Sequence, residues 1–180
     1  NPVYTAKEFT TLDWLSEGRI DFGVGVGWCQ EEVEACGYSF KDRGRRCDEF
    51  IEVIKSLWAD PITHYEGEHV QVKGARMDPK PVQPGGIPMI IGGHSPAGFR
   101  RAAKYGQGWY GFQLNLEQTA AMKSELNRAL EDQGRSWDEF ELIITPPYGI
   151  TKDQVQAYQD LGVDRLIVHL GSQKPDRIDQ

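Results

Sequence analysis

The sequence predicts an α/β fold whose strands run parallel. Helical and strand patterns alternate along the 180 residues, and short turns separate them. Apolar segments that are typical of core strands begin near positions 19, 89, 108, 141 and 163. Glycines end several of the helices, and helix-capping residues follow several of the strands. This alternation is typical of a parallel sheet that is covered by helices.

The chain begins with a predicted helix followed by a predicted strand. Asn1 caps the helix, Pro2 occupies its first turn, and residues 16–18 end it. The apolar residues of the helix recur at helical spacing: Ala6, Phe9, Leu12 and Leu15. Residues 19–27 alternate apolar side chains with Asp21 and glycines, which predicts a buried strand.

A second helix and an excursion from the alternating pattern come next. Residues 45–58 carry one apolar stripe and predict a helix. Residues 62–72 predict a hairpin, with His64 and His69 facing each other on its surface. Four prolines within residues 78–88 predict a stiff, extended connector. We therefore predict a hairpin and proline-rich insertion at about 61–88.

The second half of the chain repeats a strand followed by a helix. Strands are predicted at residues 89–91, 108–112, 141–145 and 163–170. The intervening helices have recognisable caps, namely Ser95 with Pro96, Asn115 with Gln118, and Thr151 with Gln154. No stretch resembles a flexible linker, so residues 1–180 are predicted to form a single domain.

Composition and charge exclude several classes of protein. Acidic residues outnumber basic residues by 27 to 20, and the net charge of −7 argues against a nucleic-acid surface. No apolar run approaches the ~20 residues of a membrane helix, and the N-terminus lacks a signal-peptide layout. Three cysteines without a C-x-x-C pair predict free thiols in a reducing cytoplasm and no metal site.

The strongest local signal is the turn Gly92-Gly93-His94-Ser95. A short apolar strand enters the two glycines, and a capped helix follows them. A helix N-terminus offers unpaired N–H groups and the positive end of the helix dipole, which suit a phosphate. Glycines would allow close approach of the anion. The same residues also fit a tight strand-to-helix turn, and the local pattern does not separate the two interpretations.

A second signal is the glycine-rich strand end over residues 23–28, which closes on Gly25, Gly27 and Trp28. It matches neither the dinucleotide fingerprint nor a Walker loop. A flat ring would pack against such a strand end. Taken alone, however, the pattern favours close packing of a helix on the strand.

Two histidines are the candidates for catalysis. His94 follows the glycine pair, where it would donate to a phosphate or titrate near the working pH. His169 lies at the end of the last predicted strand, where barrel enzymes hold catalytic groups. Either side chain also fits an ordinary solvated histidine. No nucleophile elbow or isolated carboxylate pair stands out.

Taken together and in order, the motifs resemble the luciferase-like monooxygenase family. The matching blocks are Leu12 to Arg19, Gly23 to Trp28, Arg43 to Glu49, Leu57-Trp58, Pro79 to Gln83, Ile90 to Gly93, Gly108-Trp109 and Leu161 to Arg165. Each block alone is weakly specific, whereas the ordered set covers essentially the whole chain.

The resemblance implies a (β/α)8 barrel of the TIM type that binds reduced FMN or coenzyme F420, the 8-hydroxy-5-deazaflavin. It implies that Gly92, Gly93, His94 and Ser95 hold the cofactor phosphate. It also implies that Gly25, Gly27 and Trp28 line the flavin pocket. The expected activity is that of an oxidoreductase, either a monooxygenase or an F420-dependent reductase, acting on a small organic substrate. A homodimer is expected for the full-length protein.

Length is the main departure from the family pattern. A barrel of this type usually needs about 250 residues, so we expect an incomplete barrel with about five of eight strands and the first three missing. We expect weak or no catalysis from these 180 residues alone. A non-catalytic flavin-binding relative or an inactive fragment is the alternative function. A different phosphate-binding barrel, such as an isomerase or aldolase, is a third.

Overall fold

The structure is a computed structural model that describes residues 1–147 and 149–169. The chain forms two compact units, Asn1–Ile91 and a second that begins at Gly92. The predicted organisation as a single domain, with an insertion at about 61–88, stays a prediction.

The first unit combines helices, parallel strands and a hairpin. Its elements are α1 (Pro2–Ser16), β1 (Phe22–Val24), α2 (Gln30–Ala35), α3 (Arg43–Ala59), β2 (Thr63–Glu66), β3 (Gln71–Ala75) and β4 (Met89–Gly92). Strands β1 and β4 pair in parallel, with Phe22 opposite Met89 and Val24 opposite Ile91. Strands β2 and β3 pair antiparallel, as predicted for a hairpin.

The core of the first unit lies where α1 packs on α3. The α3 side chains Ile51, Val53 and Leu57 are almost completely buried. Trp58 donates its indole N–H to the Ala6 carbonyl oxygen at 3.1 Å, and its ring meets the Phe22 ring edge-on at 5.9 Å between centroids. Apolar burial of this kind supplies the main free energy of folding.

Helix α1 buries only some of the apolar residues that recur at helical spacing. Leu12 and Leu15 are exposed, whereas Thr10 and Asp13 are buried beside Ala6. Asp13 is 0% exposed because its carboxylate binds the proline-rich connector. It accepts the backbone N–H groups of Val82 and Gln83 at 2.7 and 3.1 Å, and the Gln83 side-chain amide at 2.8 Å. A buried charge therefore has three donors.

The hairpin is anchored by a carboxylate of α3. Glu49 accepts the backbone N–H groups of Glu68, His69 and Val70 at 2.8–3.1 Å. The predicted pairing of the two histidines is wrong, because His64 pairs with Lys73 across the hairpin and His69 lies in the turn, but His64 is exposed as predicted. The His69 side chain is only 12% exposed, with Nδ1 3.8 Å from Asp42 Oδ2.

The second unit repeats a strand followed by a helix. Its elements are α4 (Pro96–Tyr105), β5 (Gly108–Phe112), α5 (Leu116–Asp132), a 3-10 turn (Trp137–Glu139), β6 (Glu141–Thr145), α6 (Lys152–Asp160) and β7 (Arg165–Leu166). Strand β6 pairs in parallel with both β5 and β7. The predicted capping boxes of α5 and α6 are confirmed, with Asn115 and Thr151 as the caps. The described residues thus contain five strands in parallel pairs, which confirms the predicted fold class.

Three predicted segments differ in extent or kind. The strand predicted at residues 19–27 is ordered as a strand only over β1, because the glycines after Val24 leave the ladder. The last strand is limited to β7 within the prediction of 163–170, and residue 170 lies outside the described residues. The short helix α2 lies between the strand predicted at residues 19–27 and the helix predicted at residues 45–58, and it was not predicted because it buries no residue and therefore leaves no apolar pattern.

Candidate functional site

The turn after β4 is built from two glycines and a capping serine. Gly93 adopts φ +122°, a conformation that other residues rarely adopt. Ser95 then caps α4, and its hydroxyl accepts the Gly98 N–H at 3.2 Å. The pattern of strand, glycine turn and capped helix is therefore present as predicted.

A close contact across the turn depends on Gly98. A Cβ atom at Gly98 would lie 2.7 Å from the Gly93 carbonyl oxygen, a distance that real Cβ atoms essentially never show. The same carbonyl accepts the Trp109 indole N–H at 3.0 Å, and Trp109 is 0% exposed. The turn is thus fixed from two sides, by the first turn of α4 and by β5.

The first turn of α4 leaves backbone donors available. Within residues 1–147 and 149–169, no acceptor is found for the N–H groups of His94, Ser95 and Ala97. Pro96 carries no N–H group, so it leaves no unsatisfied donor at the first helical position. Three N–H groups at the positive end of a ten-residue helix are suited to a phosphate or another anion.

One ring nitrogen of His94 accepts a hydrogen bond, so the ring does not carry a proton on both nitrogens. Its Nε2 atom accepts the Phe112 backbone N–H at 3.1 Å, which requires Nε2 to be unprotonated. Its ring also lies 5.6 Å from the Trp109 ring. Partial burial lowers the pKa of His94 from its usual value of 6.5. The neutral ring, with its proton on Nδ1, is therefore the form that fits the structure.

The two candidate histidines share one neighbour in the second unit. The ring of Phe112 meets the exposed His169 ring at 6.4 Å in an edge-on arrangement, while its backbone N–H binds His94. Phe112 is the last residue of β5, whereas His94 follows β4 and His169 follows β7. The carboxyl ends of parallel strands meet at one edge of a sheet, where ligand sites form.

In the first unit, the strand end at residues 25–28 is open at Gly25 and covered by a helix at Gly27. A Cβ atom added at Gly25 would meet nothing within 4 Å among the described residues, whereas one at Gly27 would lie 3.4 Å from the Val33 side chain of α2, so the helix packing favoured by the pattern alone is observed only at Gly27. Trp28 is 88% exposed. Gly25 lines a pocket of about 210 Å³, and the Arg43 guanidinium binds the Gly27 carbonyl oxygen at 3.2 Å.

A separate apolar pocket of about 250 Å³ lies at the starts of α5 and α6. It is lined by Asn115, Leu116, Pro146, Pro147, Ile150 and Tyr158, among others. The Tyr158 hydroxyl donates to the Leu114 carbonyl oxygen at 2.7 Å, and burial raises the pKa of this phenol. Among the described residues that line this pocket there is no histidine and no basic side chain.

Two kinds of feature are absent from the described residues. No helix there is both long enough and apolar enough to cross a membrane. No group of three or more His, Cys, Asp and Glu side chains there is arranged to hold a metal ion.

Sequence reasoning missed three residues that shape the turn. Gly98 had a visible signal, since a glycine within the first turn of a helix is unfavourable unless close packing requires it. Trp109 and Phe112 had no local signal, because their contacts with Gly93 and His94 span 16 and 18 residues.

Comparisons of the sequence and of the structure with known proteins indicate the same family. An uncharacterized protein of Mycobacterium tuberculosis is 32% identical over 167 residues, which are 93% of this chain and 57% of that protein. The F420-dependent glucose-6-phosphate dehydrogenase of Rhodococcus hoagii is 34% identical over 114 residues, which are 61% of this chain and 33% of that enzyme. The chain spans about half the length, or less, of the curated relatives that it matches.

A solved structure shows the same fold. The monooxygenase RslO1 from Streptomyces bottropensis superposes with a TM-score of 0.71 and 23% identity, covering 99% of this chain and 52% of that one. The fold is therefore that of a luciferase-like barrel, of which the described residues contain five strands. The family profile described as luciferase-like monooxygenase matches residues 1–178. The chain belongs to the luciferase-like monooxygenase family.

Proposed function

We propose that this chain binds reduced FMN or coenzyme F420 and is part of an oxidoreductase that acts on a small organic substrate. The observation that carries the proposal is the turn Gly92–Ser95, with three available N–H groups at the N-terminus of α4. The family and the F420-dependent relative support a flavin or deazaflavin as the ligand.

The residues of the turn fit a phosphate group. Gly93 carries no side chain, and Gly98 brings the first turn of α4 against it. The N–H groups of His94, Ser95 and Ala97 supply the hydrogen bonds, and the dipole of α4 supplies a favourable potential. FMN and coenzyme F420 both carry a phosphate, so this contact recognises a feature that they share.

The ring of the cofactor is assigned to other residues. We propose that Gly25, Gly27 and Trp28 line the flavin pocket, because the space beside Gly25 is open and Trp28 is exposed. When bound, the cofactor supplies hydride transfer or oxygen activation. The chain would bind and orient the cofactor and limit the access of water. His94 and His169 stay candidates for handling protons.

We propose a cytoplasmic protein that forms a homodimer when full length and binds neither nucleic acid nor membrane. Of the alternatives, a non-catalytic flavin-binding relative keeps the same site. An isomerase or aldolase barrel is disfavoured by the family match over residues 1–178.

A comparison of FMN with riboflavin tests the phosphate site. Riboflavin lacks the phosphate, so titration of the chain with both ligands isolates its contribution. We expect FMN to bind about ten- to a hundredfold more tightly, as two or so charge-assisted hydrogen bonds allow. Equal affinity for the two ligands would contradict the phosphate assignment, and binding of neither FMN nor coenzyme F420 would contradict the proposed function.

Two cap variants provide a matched control. Ser95→Ala and Thr151→Ala each remove a hydroxyl that caps a helix of the second unit. Each is expected to lower stability by about 1 kcal/mol. Only Ser95→Ala should weaken FMN binding, by about three- to tenfold, because only that cap adjoins the proposed phosphate site. An equal loss in both variants would indicate a general effect of helix fraying.

A further inference from the structure

We propose that His94 is a positioning residue for the turn Gly92–Ser95. Its neutral imidazole holds this turn against the end of β5 by accepting a hydrogen bond from the Phe112 N–H. This inference rests on the proposed function for its ligand, but its geometry can be tested without any ligand. It assigns His94 a role different from direct phosphate binding through Nε2.

The hydrogen bond itself identifies the tautomer. A backbone N–H can only donate, so the 3.1 Å contact from Phe112 N to His94 Nε2 needs a lone pair on Nε2. The proton of the neutral ring is then on Nδ1. A protonated ring would carry N–H groups at both positions and would lose this bond. The structure therefore contains the neutral ring as a structural acceptor.

The location of the bond gives it a role in positioning the turn. His94 lies between Gly93, whose carbonyl oxygen accepts the Trp109 indole, and Ser95, which caps α4. The bonds from Trp109 and Phe112 are both contributed by β5, and they hold adjacent residues of the turn. The N–H groups proposed to bind phosphate belong to the same short segment. Loss of the Phe112 bond would leave that segment with more conformational freedom.

The surroundings of His94 favour the neutral form. The aromatic ring that contacts it is Trp109, and partial burial lowers the pKa of the imidazole. Strand β4 carries no titratable side chain. The titratable or charged side chains are Arg100, Arg101, Lys104 and Tyr105 on α4, Tyr110 on β5, Glu117 in the first turn of α5, and His169 after β7. Among the described residues, none of these side chains forms an ion pair or a hydrogen bond with His94.

Glutamine and asparagine variants separate positioning from charge. The side-chain carbonyl of His94→Gln reaches about as far as Nε2, so it accepts the Phe112 N–H and does not titrate. His94→Asn has the same chemistry but is too short. We expect hydrogen exchange at Phe112 to stay within about threefold of the parent in His94→Gln and to rise about tenfold in His94→Asn. The Asn variant should also melt about 2–4 °C lower.

Ligand binding provides the second readout. With FMN as the probe, His94→Asn should bind about five- to tenfold more weakly, and His94→Gln should restore most of that loss. The parent should gain no affinity over His94→Gln between pH 8 and pH 6. If His94 instead binds phosphate as a cation, the Gln variant will be as weak as the Asn variant, and the parent will gain on both as the pH falls.

Nitrogen NMR of the unliganded chain completes the test. The chemical shifts of the His94 ring should show a proton on Nδ1 and none on Nε2 at pH 7.5. A proton on Nε2, or equal exchange at Phe112 in the Gln and Asn variants, would overturn the inference whether or not FMN binds. Failure of both FMN and coenzyme F420 to bind the parent while these two results hold would contradict the proposed function and leave the positioning role intact.

Discussion

At the level of single residues, Gly98 is the most constrained position of the candidate site. Its missing side chain allows the first turn of α4 to pack against Gly93. A Cβ atom at position 98 would lie only 2.7 Å from the Gly93 carbonyl oxygen. Gly98→Ala should therefore destabilise the protein by about 1–3 kcal/mol, although alanine favours helices, because the contact would be overpacked. Urea unfolding measures this change.

The neighbouring position is the control for Gly98. Ala97 is exposed, so Ala97→Ser should change the free energy of unfolding by less than about 0.5 kcal/mol. Gly98→Ala should also weaken FMN binding, because the turn would move away from the helix N-terminus. A Gly98→Ala protein as stable as its parent would show that the turn can shift without cost.

His94 also makes stability depend on pH. Its pKa is lowered in the folded chain, so the unfolded chain binds a proton more readily as the pH falls through about 6.5. The contribution of the neutral His94 ring to the free energy of unfolding is therefore complete above pH 6.5. It is lost progressively as the pH drops from 6.5 toward the lower pKa of His94 in the folded state. Urea unfolding of the parent and His94→Gln at pH 7.5 and 5.5 measures it. The parent should lose more stability than the variant, and equal losses would contradict the prediction.

At the level of elements, the hairpin depends on one carboxylate of α3. Glu49 accepts three consecutive N–H groups of the turn between β2 and β3, and no other side chain accepts them in the described part of the chain. Glu49→Ala should raise hydrogen exchange at Glu68, His69 and Val70 by about tenfold or more. Exchange in the middle of α3 should stay unchanged. Glu52→Gln is a suitable control because Glu52 binds the Tyr65 hydroxyl and none of these N–H groups.

The elements that sequence predicted best are those whose signals are local. The caps of α4, α5 and α6 involve residues three positions apart, so Ser95, Asn115 and Thr151 were enough to predict the helix starts. Helix α1 shows the opposite case. Leu12 and Leu15 recur at helical spacing with Ala6 and yet are exposed, because the buried face includes Asp13, whose partners lie about 70 residues away. Periodicity cannot reveal a buried charge with distant donors.

The candidate site also combines features that have a local sequence signal with features that depend on distant residues. The glycine turn and its capping serine are contiguous and were predicted, because strand, glycines and cap are all local features. The ring orientation of His94 depends on Phe112, 18 residues further on, and therefore leaves no local signal in the sequence. Gly98 is intermediate, since its unusual place in a helix is visible but its reason, contact with Gly93, is not.

At the level of the whole molecule, net charge and local charge oppose each other. The chain carries a net charge of −7, whereas the proposed phosphate site attracts an anion through backbone N–H groups. Backbone donors act over a few ångströms, while the net charge acts as far as salt allows, about 30 Å at 0.01 M and 8 Å at 0.15 M. An approaching FMN dianion is thus repelled at long range and attracted only near the turn.

This opposition predicts how salt changes the rate of FMN binding. For a dianion about 20 Å from seven net charges, the repulsion is about 1–2 kcal/mol at 0.01 M salt and a few tenths at 0.15 M. The association rate with FMN should therefore rise about two- to tenfold over that range, as stopped-flow fluorescence would measure. Riboflavin, which is neutral, should show no such change. A rate for FMN that falls with salt would mean that a positive patch near the site outweighs the net charge, and the anion would then be recognised by basic side chains in addition to the helix N-terminus.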